Sequence, residues 1–531
     1  MSLTEIEYDK VNAFSNLLID YNLNNSHFSD LISNFPTLDN LNKQISFKSK
    51  NYNNQFRESL VKEICNQYKG IKLSEIQKQN INKLLEKDTY TITTGHQLNL
   101  LTGPLYFIYK IISTINLSET LKKNYPEFDF VPIYWMASED HDFDEINNFS
   151  FQGSKFKWSS NQTGVVGEFK LDSIDNVLTE FEKFVSDFPY GNEIIKIFRE
   201  CYLNSNDLSN ATRKLVNILF AKYGLIIIDA NNKNLKSLFR DLIKKELNEK
   251  FIFNKSKKSI KRLNELKYNL QANPREINLF YIHDKKRERI IEKGNLFQTS
   301  NGSKKWNLEE IQDDVNLNPE KFSPNVLFRP IFQEFILPNI CYVGGPAEVA
   351  YWLELKSVFE SLNLTFPLIL NRNSALLLEK KQIDKLNKLN VSIEEIFLPK
   401  KQLKENLVRK YSKLKLDFTN LKQQLNNQFS ELKDKAIHTD KSFIGALNAQ
   451  EQKQINGLKM LEKRLLKSEQ RIHQDKINKV LEIRDKLFPG GKPQERISNF
   501  SEFYKIHGPN MIDKIKNNLV PLNQKFSIIE I

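Results

Sequence analysis

Glu139, Asp140, His141, Asp142, Asp144 and Glu145 place six ionisable side chains within seven positions. One or two acids at a helix start follow from capping and the helix dipole; five exceed that need. Crowded carboxylates repel unless a metal, a proton or a cationic substrate offsets them. Three occupants therefore fit. Mg2+ bridging nucleotide phosphates would use one or two carboxylates. A substrate ammonium would pair with them. Alternatively, His141 or an acid would act as general base toward an attacking amine. The run lacks a recognisable metal spacing. Substrate binding plus base is thus the expectation, with no dedicated metal site: His141, Asp142 and Asp144 catalytic, Glu139 and Asp140 on substrate. Trp135, just upstream, either walls the pocket or packs in the core.

Two glycine turns offer complementary chemistry. Gly95-His96-Gln97 and Thr102-Gly103-Pro104 flank a strand-to-helix passage. Glycine permits close backbone approach, and the helix start presents free N–H groups to a phosphate or carboxylate. His96 would stabilise charge in a phosphoryl or adenylyl transfer, Gln97 would contact substrate, and Lys110 is a lesser candidate. Gly344-Gly345-Pro346-Ala347-Glu348 repeats the pattern, with Glu348 readable as a simple helix cap. Gly95, Thr102, Gly103, Gly344 and Gly345 are thus nucleotide-binding candidates. Lys492 and Arg496, in GGKPQER after a long helical stretch, join them as phosphate contacts. Arg329 and Arg372 stand near expected strand ends, where either would clamp a substrate carboxylate. No Walker A pattern and no GxGxxG occurs.

These groups need a scaffold that brings strand ends together. Residues 1–88 read mostly as helices. Thr89–Thr94 and Phe130–Trp135 read as strands around a helix from Pro104 to about Leu121, so parallel pairing with right-handed crossovers is expected. SKFKWSS and TGVVGEFKLD read as short strands of an insertion, Asn210–Tyr223 as helix, 225–229 as a returning strand, and Leu279–His283 with Arg289–Glu292 as a hairpin. Asn339–Val343 and Phe366–Leu370 complete the strands, with a helix over Pro346–Leu362. From Lys400 to about Lys486 the pattern changes. Leu414, Phe418, Leu421, Leu425 and Leu432, then Leu458, Leu461, Leu465 and Ile472, follow three-and-four spacing around a break near His438-Thr439-Asp440. Two helices folding back as an antiparallel coiled coil fit this, and the apolar seam left over predicts a homodimer. The resulting division is 1–149 and 331–398 for the two halves of the core, 150–330 for inserted elements and returning strands, 399–487 for the coiled coil and 488–531 for a returning tail.

Composition narrows the class. Lys and Arg number 78 against 65 Asp and Glu, a net charge of +13. The lysines are spread over solvent-facing helices and do not form a stripe with interleaved aromatics, so no nucleic-acid partner is expected. A basic surface still helps collect anionic small molecules. Cys65, Cys201 and Cys341 show no paired or metal spacing, as suits a reducing cytoplasm. Cys341 reads as a small hydrophobe in a buried strand. Residues 1–10 lack a signal peptide's apolar centre. No apolar run approaches the ~20 residues that span a membrane. A soluble cytoplasmic protein is expected.

The segments TGHQLNLLTGPLYFIYK and ASEDHDFDE closely resemble the bacillithiol-biosynthesis cysteine ligases, the BshC family. So do LFRPIFQEFILPNICYVGGPAEVAYWLELK, FPLILNRNSALLL and LFPGGKPQERISNF, in order across nearly the whole chain. The resemblance implies a Rossmann-like α/β core with inserted connective elements and a coiled-coil domain. It also implies a ligase joining the cysteine carboxyl to the amino group of glucosaminyl-malate. Amide formation in water needs an activated carboxyl, so ATP is the expected co-substrate, with Mg2+ as its companion. Activation is expected near the 95–104 loop, with the 139–145 cluster orienting and deprotonating the amine. Adenylate and acyl-phosphate routes both remain open. The rival readings are a nucleotide-binding scaffold that recruits another enzyme, and a nucleotidyltransferase for another small substrate.

Overall fold

The computed structural model describes residues 4–437 and 441–531, so the break expected at His438-Thr439-Asp440 lies outside the described residues. The chain divides into two compact units. One comprises residues 1–9, 13–377 and 492–531, and the other residues 10–12 and 378–491. Residues 378–398, expected in the second half of the core, thus group with the helical unit.

The first unit is built on a five-stranded parallel sheet. Its strands are β1 (Thr89–His96), β2 (Asp129–Met136), β3 (Ile226–Asp229), β4 (Asn339–Gly344) and β5 (Leu368–Asn371), in the spatial order β5-β4-β1-β2-β3. The chain runs outward from β1 through β2 to β3, then returns to the other side of β1 for β4 and β5. This is the doubly wound order, and its topological switch falls between β1 and β4, where such sheets open a crevice beyond their carboxyl ends. The strands are buried almost throughout and rich in β-branched residues, as a sheet covered on both faces requires. Polar residues in the middle of β1 find partners on the neighbouring strand: the Thr94 hydroxyl donates to the Val343 carbonyl at 2.7 Å and the Thr93 hydroxyl to Asn339 Oδ1 at 2.8 Å, while Asn339 Nδ2 donates to Glu334 at 2.7 Å. Helix α1 (Tyr106–Asn124) carries the chain from β1 to β2.

A second sheet, antiparallel, arises from the insertion. Leu279–His283 pairs with Lys286–Lys293 as a hairpin, and Phe322–Pro324 lies beside the first of these strands. At the end of the chain, Phe526–Glu530 pairs with Thr4–Ile6, so the tail returns to this unit.

Three local expectations fail for identifiable reasons. TGVVGEFKLD is no strand: it makes one tight turn at Val166–Glu168, because Val166 N–H donates to Asp140 O (2.8 Å) and Gly167 N–H to Ser138 O (3.0 Å). The helix expected over Pro346–Leu362 is two, α2 (Pro346–Leu353) and Lys356–Ser361. Between them, Glu354 and Leu355 N–H groups bond three residues back to Tyr351 and Trp352, tightening the last turn. The run from Lys400 also breaks. A helix ends at Tyr411, and α3 (Thr419–Ala436) restarts where Asp417 accepts from Thr419 N–H at 2.9 Å.

In the second unit, α3 lies antiparallel to α4 (Lys441–Ile472). The ion pairs Lys422–Glu462 and Lys433–Glu451 fix the antiparallel register. Leu421, Leu432, Met460, Leu461 and Ile472 remain exposed along this hairpin. Among the described residues, no helix is long and apolar enough to cross a membrane.

Candidate functional site

The carboxyl ends of β1 and β4 carry a dense set of charged groups. Lys110, one turn into α1 and buried, donates from Nζ to the Gly95 carbonyl and to the Glu348 carboxylate. It thereby ties the end of β1 to the start of α2. Glu348 also accepts from the Tyr342 hydroxyl and, at 2.7 Å, from Gly345 N–H, so it is indeed a cap as well as an ion-pair partner. Burial alone would raise the Glu348 carboxyl. Lys110 and the Gly345 N–H outweigh that and hold it below its ordinary value. Burial lowers Lys110, and Glu348 opposes the shift. Arg329 donates to Gln333 at 2.9 Å and to the Tyr351 hydroxyl at 3.1 Å. A Cβ on Gly95 would lie 3.0 Å from the Tyr342 hydroxyl and 3.4 Å from Arg329 Nη1, so any side chain here would require these two to give way.

His96, the last residue of β1, packs edge-on against Tyr106 at 5.4 Å. Its Nε2 is buried and has no partner among the described residues. Burial, then Lys110 and Arg372, push the imidazole well below its ordinary 6.5, so at neutral pH the ring is uncharged with a free lone pair. Two further buried atoms without partners, Arg372 Nε and Tyr109 Oη, occur in the same region. Buried polar atoms are usually satisfied in a folded protein, so these three atoms are candidates to meet a bound group.

Arg372 does not offer its fork to a ligand. Its two terminal nitrogens donate to Glu495 at 2.9 and 3.0 Å, and its backbone N–H donates to the Gly344 carbonyl at 2.8 Å. Expected as a carboxylate clamp, it instead spends its bidentate donors on a buried internal carboxylate. Within GGKPQER, then, Gln494 and Glu495 are turned inward, while Lys492 and Arg496 are exposed. Thr102 and Gly103 lie in a strained strap before α1, with φ of +70° and +61°. A Cβ at Gly103 would meet Asn99 Cβ at 2.7 Å. Thr102 is buried, with its hydroxyl unpartnered among the described residues.

The acidic loop follows β2, and the adjacent residue Gln97 joins it to His96: Gln97 Nε2 donates to Asp140 at 2.7 Å and to Glu145 at 3.1 Å. The loop carries its own counter-ions. Buried Lys236 pairs with Glu139 at 2.9 Å, and Ser323 donates to the same carboxylate. Arg287, from the inserted hairpin, donates to His141 Nδ1 at 2.9 Å and stands 4.0 Å from Asp140. Asp229, at the end of β3, accepts from the Ser138 hydroxyl, and burial raises its carboxyl. Asp142 has a side chain 57% exposed, with His141 Nε2 3.8 Å away.

Two site expectations in this loop are corrected. Asp144 points to solvent, 90% exposed and paired with Lys157, away from the other acids. Trp135 lies in the core, edge-on to Phe332 at 5.5 Å, rather than at an open wall. Cys341 is buried in β4, and burial drives its thiol far up, which removes it as a nucleophile. Ligand atoms of Asp140, His141 and Asp142 lie within 4.8 Å of one another. Mg2+ demands a compact oxygen shell, and here Arg287 already occupies one ring nitrogen and crowds Asp140. The trio therefore does not fit a resident Mg2+.

Comparison with known proteins settles the family. Residues 1–373 match the model described as the bacillithiol biosynthesis BshC N-terminal Rossmann-like domain, and residues 375–531 match the BshC C-terminal coiled-coil domain. The chain belongs to the BshC family. Relatives named "Putative cysteine ligase BshC" include those of Flavobacterium johnsoniae, 46% identical over 526 residues and covering 99% of each chain, and Cytophaga hutchinsonii, 38% identical over 523 residues and covering 98% of this chain and 97% of that one. BshC membership agrees with the doubly wound sheet and the helical hairpin.

Within this BshC fold, Gly95, His96, Arg329, Gly344 and Gly345 gather at the switch point, and Gln97, Glu139, Asp140, His141 and Asp142 form the adjoining loop. Sequence reasoning passed over Tyr342, Glu495, Lys236, Arg287 and Asp229. Glu495 lies inside a quoted motif. Lys236 and Arg287 carry no local signal, because their partners are remote in sequence.

Proposed function

We propose that this chain is a cysteine ligase of bacillithiol biosynthesis. It joins the carboxyl of L-cysteine to the glucosamine nitrogen of glucosaminyl-malate, with ATP activating the carboxyl. The names of the relatives matched over nearly their whole length support cysteine as one of the partners joined. The observation that carries the site assignment is the neutral His96, with a buried free nitrogen, at the switch point of a doubly wound sheet and one residue from the acidic loop.

The chemistry requires a C–N bond to form as the bond from the acyl carbon to its phosphoryl-bearing oxygen breaks, and the attacking amine must lose a proton. In this reading the amine arrives as an ammonium, held by Asp140 and Asp142, the acids on either side of His141. The ammonium loses two protons in all: one to solvent, which frees the nitrogen lone pair, and one to His96 as the C–N bond forms. A positioned general base of this kind contributes about 10²- to 10⁴-fold. Lys110, Glu348 and the Gly345 N–H hold the ends of β1 and β4 in fixed register, so the anionic co-substrate meets a preorganised rim. Mg2+ enters with the nucleotide phosphates as part of the substrate. A second copy of the chain covers the exposed apolar residues of α3 and α4.

Purified protein with glucosaminyl-malate, cysteine and Mg-ATP, read by mass spectrometry, tests this. Bacillithiol with AMP supports the ligase through an adenylate, and with ADP through an acyl phosphate. Nucleotide binding without any product overturns the ligase in favour of a scaffold. Nucleotide–pyrophosphate exchange indifferent to cysteine overturns it in favour of a nucleotidyltransferase.

A further inference from the structure

The inserted hairpin reaches the acidic loop through one residue, Arg287. Its side chain is buried and every arm is engaged. Nε donates to the Ser323 hydroxyl at 2.9 Å, Nη2 to the Pro324 carbonyl at 2.9 Å and Nη1 to His141 Nδ1 at 2.9 Å. The guanidinium lies 3.9 Å from the centre of the Phe280 ring. Stacked and triply anchored, it cannot swing away from His141.

A guanidinium has only donors. His141 Nδ1 must therefore accept, which leaves the ring neutral with its hydrogen on Nε2. The groups facing the ring are Asp140, 3.7 Å from Nδ1; Asp142, 3.8 Å from Nε2; Arg287 from the hairpin; and Phe280, with ring centres 5.6 Å apart. The His141 side chain is 38% exposed, with Nε2–H beside Asp142, and with Asp140 on the Nδ1 side of the ring. A nitrogen that already carries hydrogen cannot take a proton, and the expectation of His141 as general base does not survive this geometry. Nor does it offer a divalent cation a lone pair. The set of one N–H donor and two carboxylate acceptors matches a ligand with adjacent ammonium and hydroxyl groups: the ammonium hydrogens go to the carboxylates and the hydroxyl oxygen accepts from Nε2–H.

We propose that Arg287 is a positioning residue that locks His141 as an Nε2–H donor, and that His141 with Asp140 and Asp142 recognises the vicinal amino alcohol of an amino sugar. The second half rests on the ligase reading; the tautomer does not.

The test is nitrogen NMR of the full-length protein labelled at histidine, with His141 assigned by its loss in H141Q. Wild type should show an acceptor-type Nδ1 and a protonated Nε2, and R287Q a mixture of tautomers. A hydrogen on Nδ1 in wild type, or a ring unchanged in R287Q, overturns the lock. Should R287Q fail to fold, H141L and H141Q keep the question open to measurement, since glutamine retains an N–H near the Nε2 position. Calorimetric Kd values for glucosaminyl-malate should rise about tenfold in H141L and less in H141Q, as expected for deleting one hydrogen bond. Equal weakening in both, or none in either, overturns the recognition role. Turnover is needed for neither readout, so failure of the ligase reading is seen separately, as absence of product from a protein whose His141 tautomer is as stated.

Discussion

Arg372 and Glu495, 123 residues apart, form a doubly hydrogen-bonded ion pair with both side chains buried beside the Gly344 turn. The pair fastens the segment after the helical unit back to the sheet edge that carries the candidate site. Removing one partner of a buried pair leaves the other charge uncompensated, at a cost of about 3–5 kcal/mol. E495Q should therefore lower the urea midpoint strongly, while the double variant R372M/E495L recovers most of the loss. A midpoint for E495Q within about 1 kcal/mol of wild type would mean that the pair behaves as a surface contact.

Asp142 and Asp144 stand two residues apart and should behave oppositely. Asp142 stands beside His141 and accepts the substrate ammonium in the proposed mechanism, whereas Asp144 pairs with Lys157 in solvent. Hydrogen bonds to charged groups are each worth about 1.5–3 kcal/mol, so D142N should weaken glucosaminyl-malate binding about 10- to 150-fold. D144N should bind and turn over like wild type. Comparable losses in both variants would remove the distinction drawn from their placement.

Glu354 gives a pH signature of stability. One carboxylate oxygen accepts the Gln271 and Ala272 N–H groups at 2.9 and 3.0 Å, and the other is buried without a partner among the described residues. Burial raises this carboxyl from 4.5 to about 7. A carboxyl raised on folding holds its proton more tightly in the folded chain, so stability falls as pH rises from 4.5 toward 7. E354Q keeps the accepting oxygen and removes the ionisation. Its stability relative to wild type should increase by roughly 1–3 kcal/mol between pH 5 and pH 8 in urea melts. A pH-independent difference would contradict the buried, protonated carboxyl.

The helical hairpin leaves Leu421 and Leu461 exposed by 47% and 54%. Light scattering should give twice the monomer mass for wild type. L421K combined with L461K should give the monomer mass without loss of helical signal, since neither side chain is buried within its own hairpin. A wild-type mass of one chain would refute the dimer.

Much of this was legible in the residues because it is local. Thr89–Thr94 is a β-branched run ended by Gly95, and the buried strand follows, extended only to His96. The acidic loop was legible as a position but not as a charge balance. Its counter-ions, Lys236 and Arg287, reach it from the insertion, Arg287 across 146 residues, and no spacing rule spans that distance. TGVVGEFKLD has strand-like composition, yet its backbone is stapled to Ser138 and Asp140, so tertiary hydrogen bonds override propensity. Arg372 and Glu495 show the same limit. Each looked available for a ligand or for solvent until the fold placed them together.

The central claim is that the crevice beyond β1 and β4 forms the amide, with His96 as its base. The most direct measurement compares wild type and H96N for bacillithiol formation from glucosaminyl-malate, cysteine and Mg-ATP, at matched thermal stability. Product from wild type with a loss of about 10²-fold or more in H96N is the predicted result. Product at wild-type rates from H96N would contradict it.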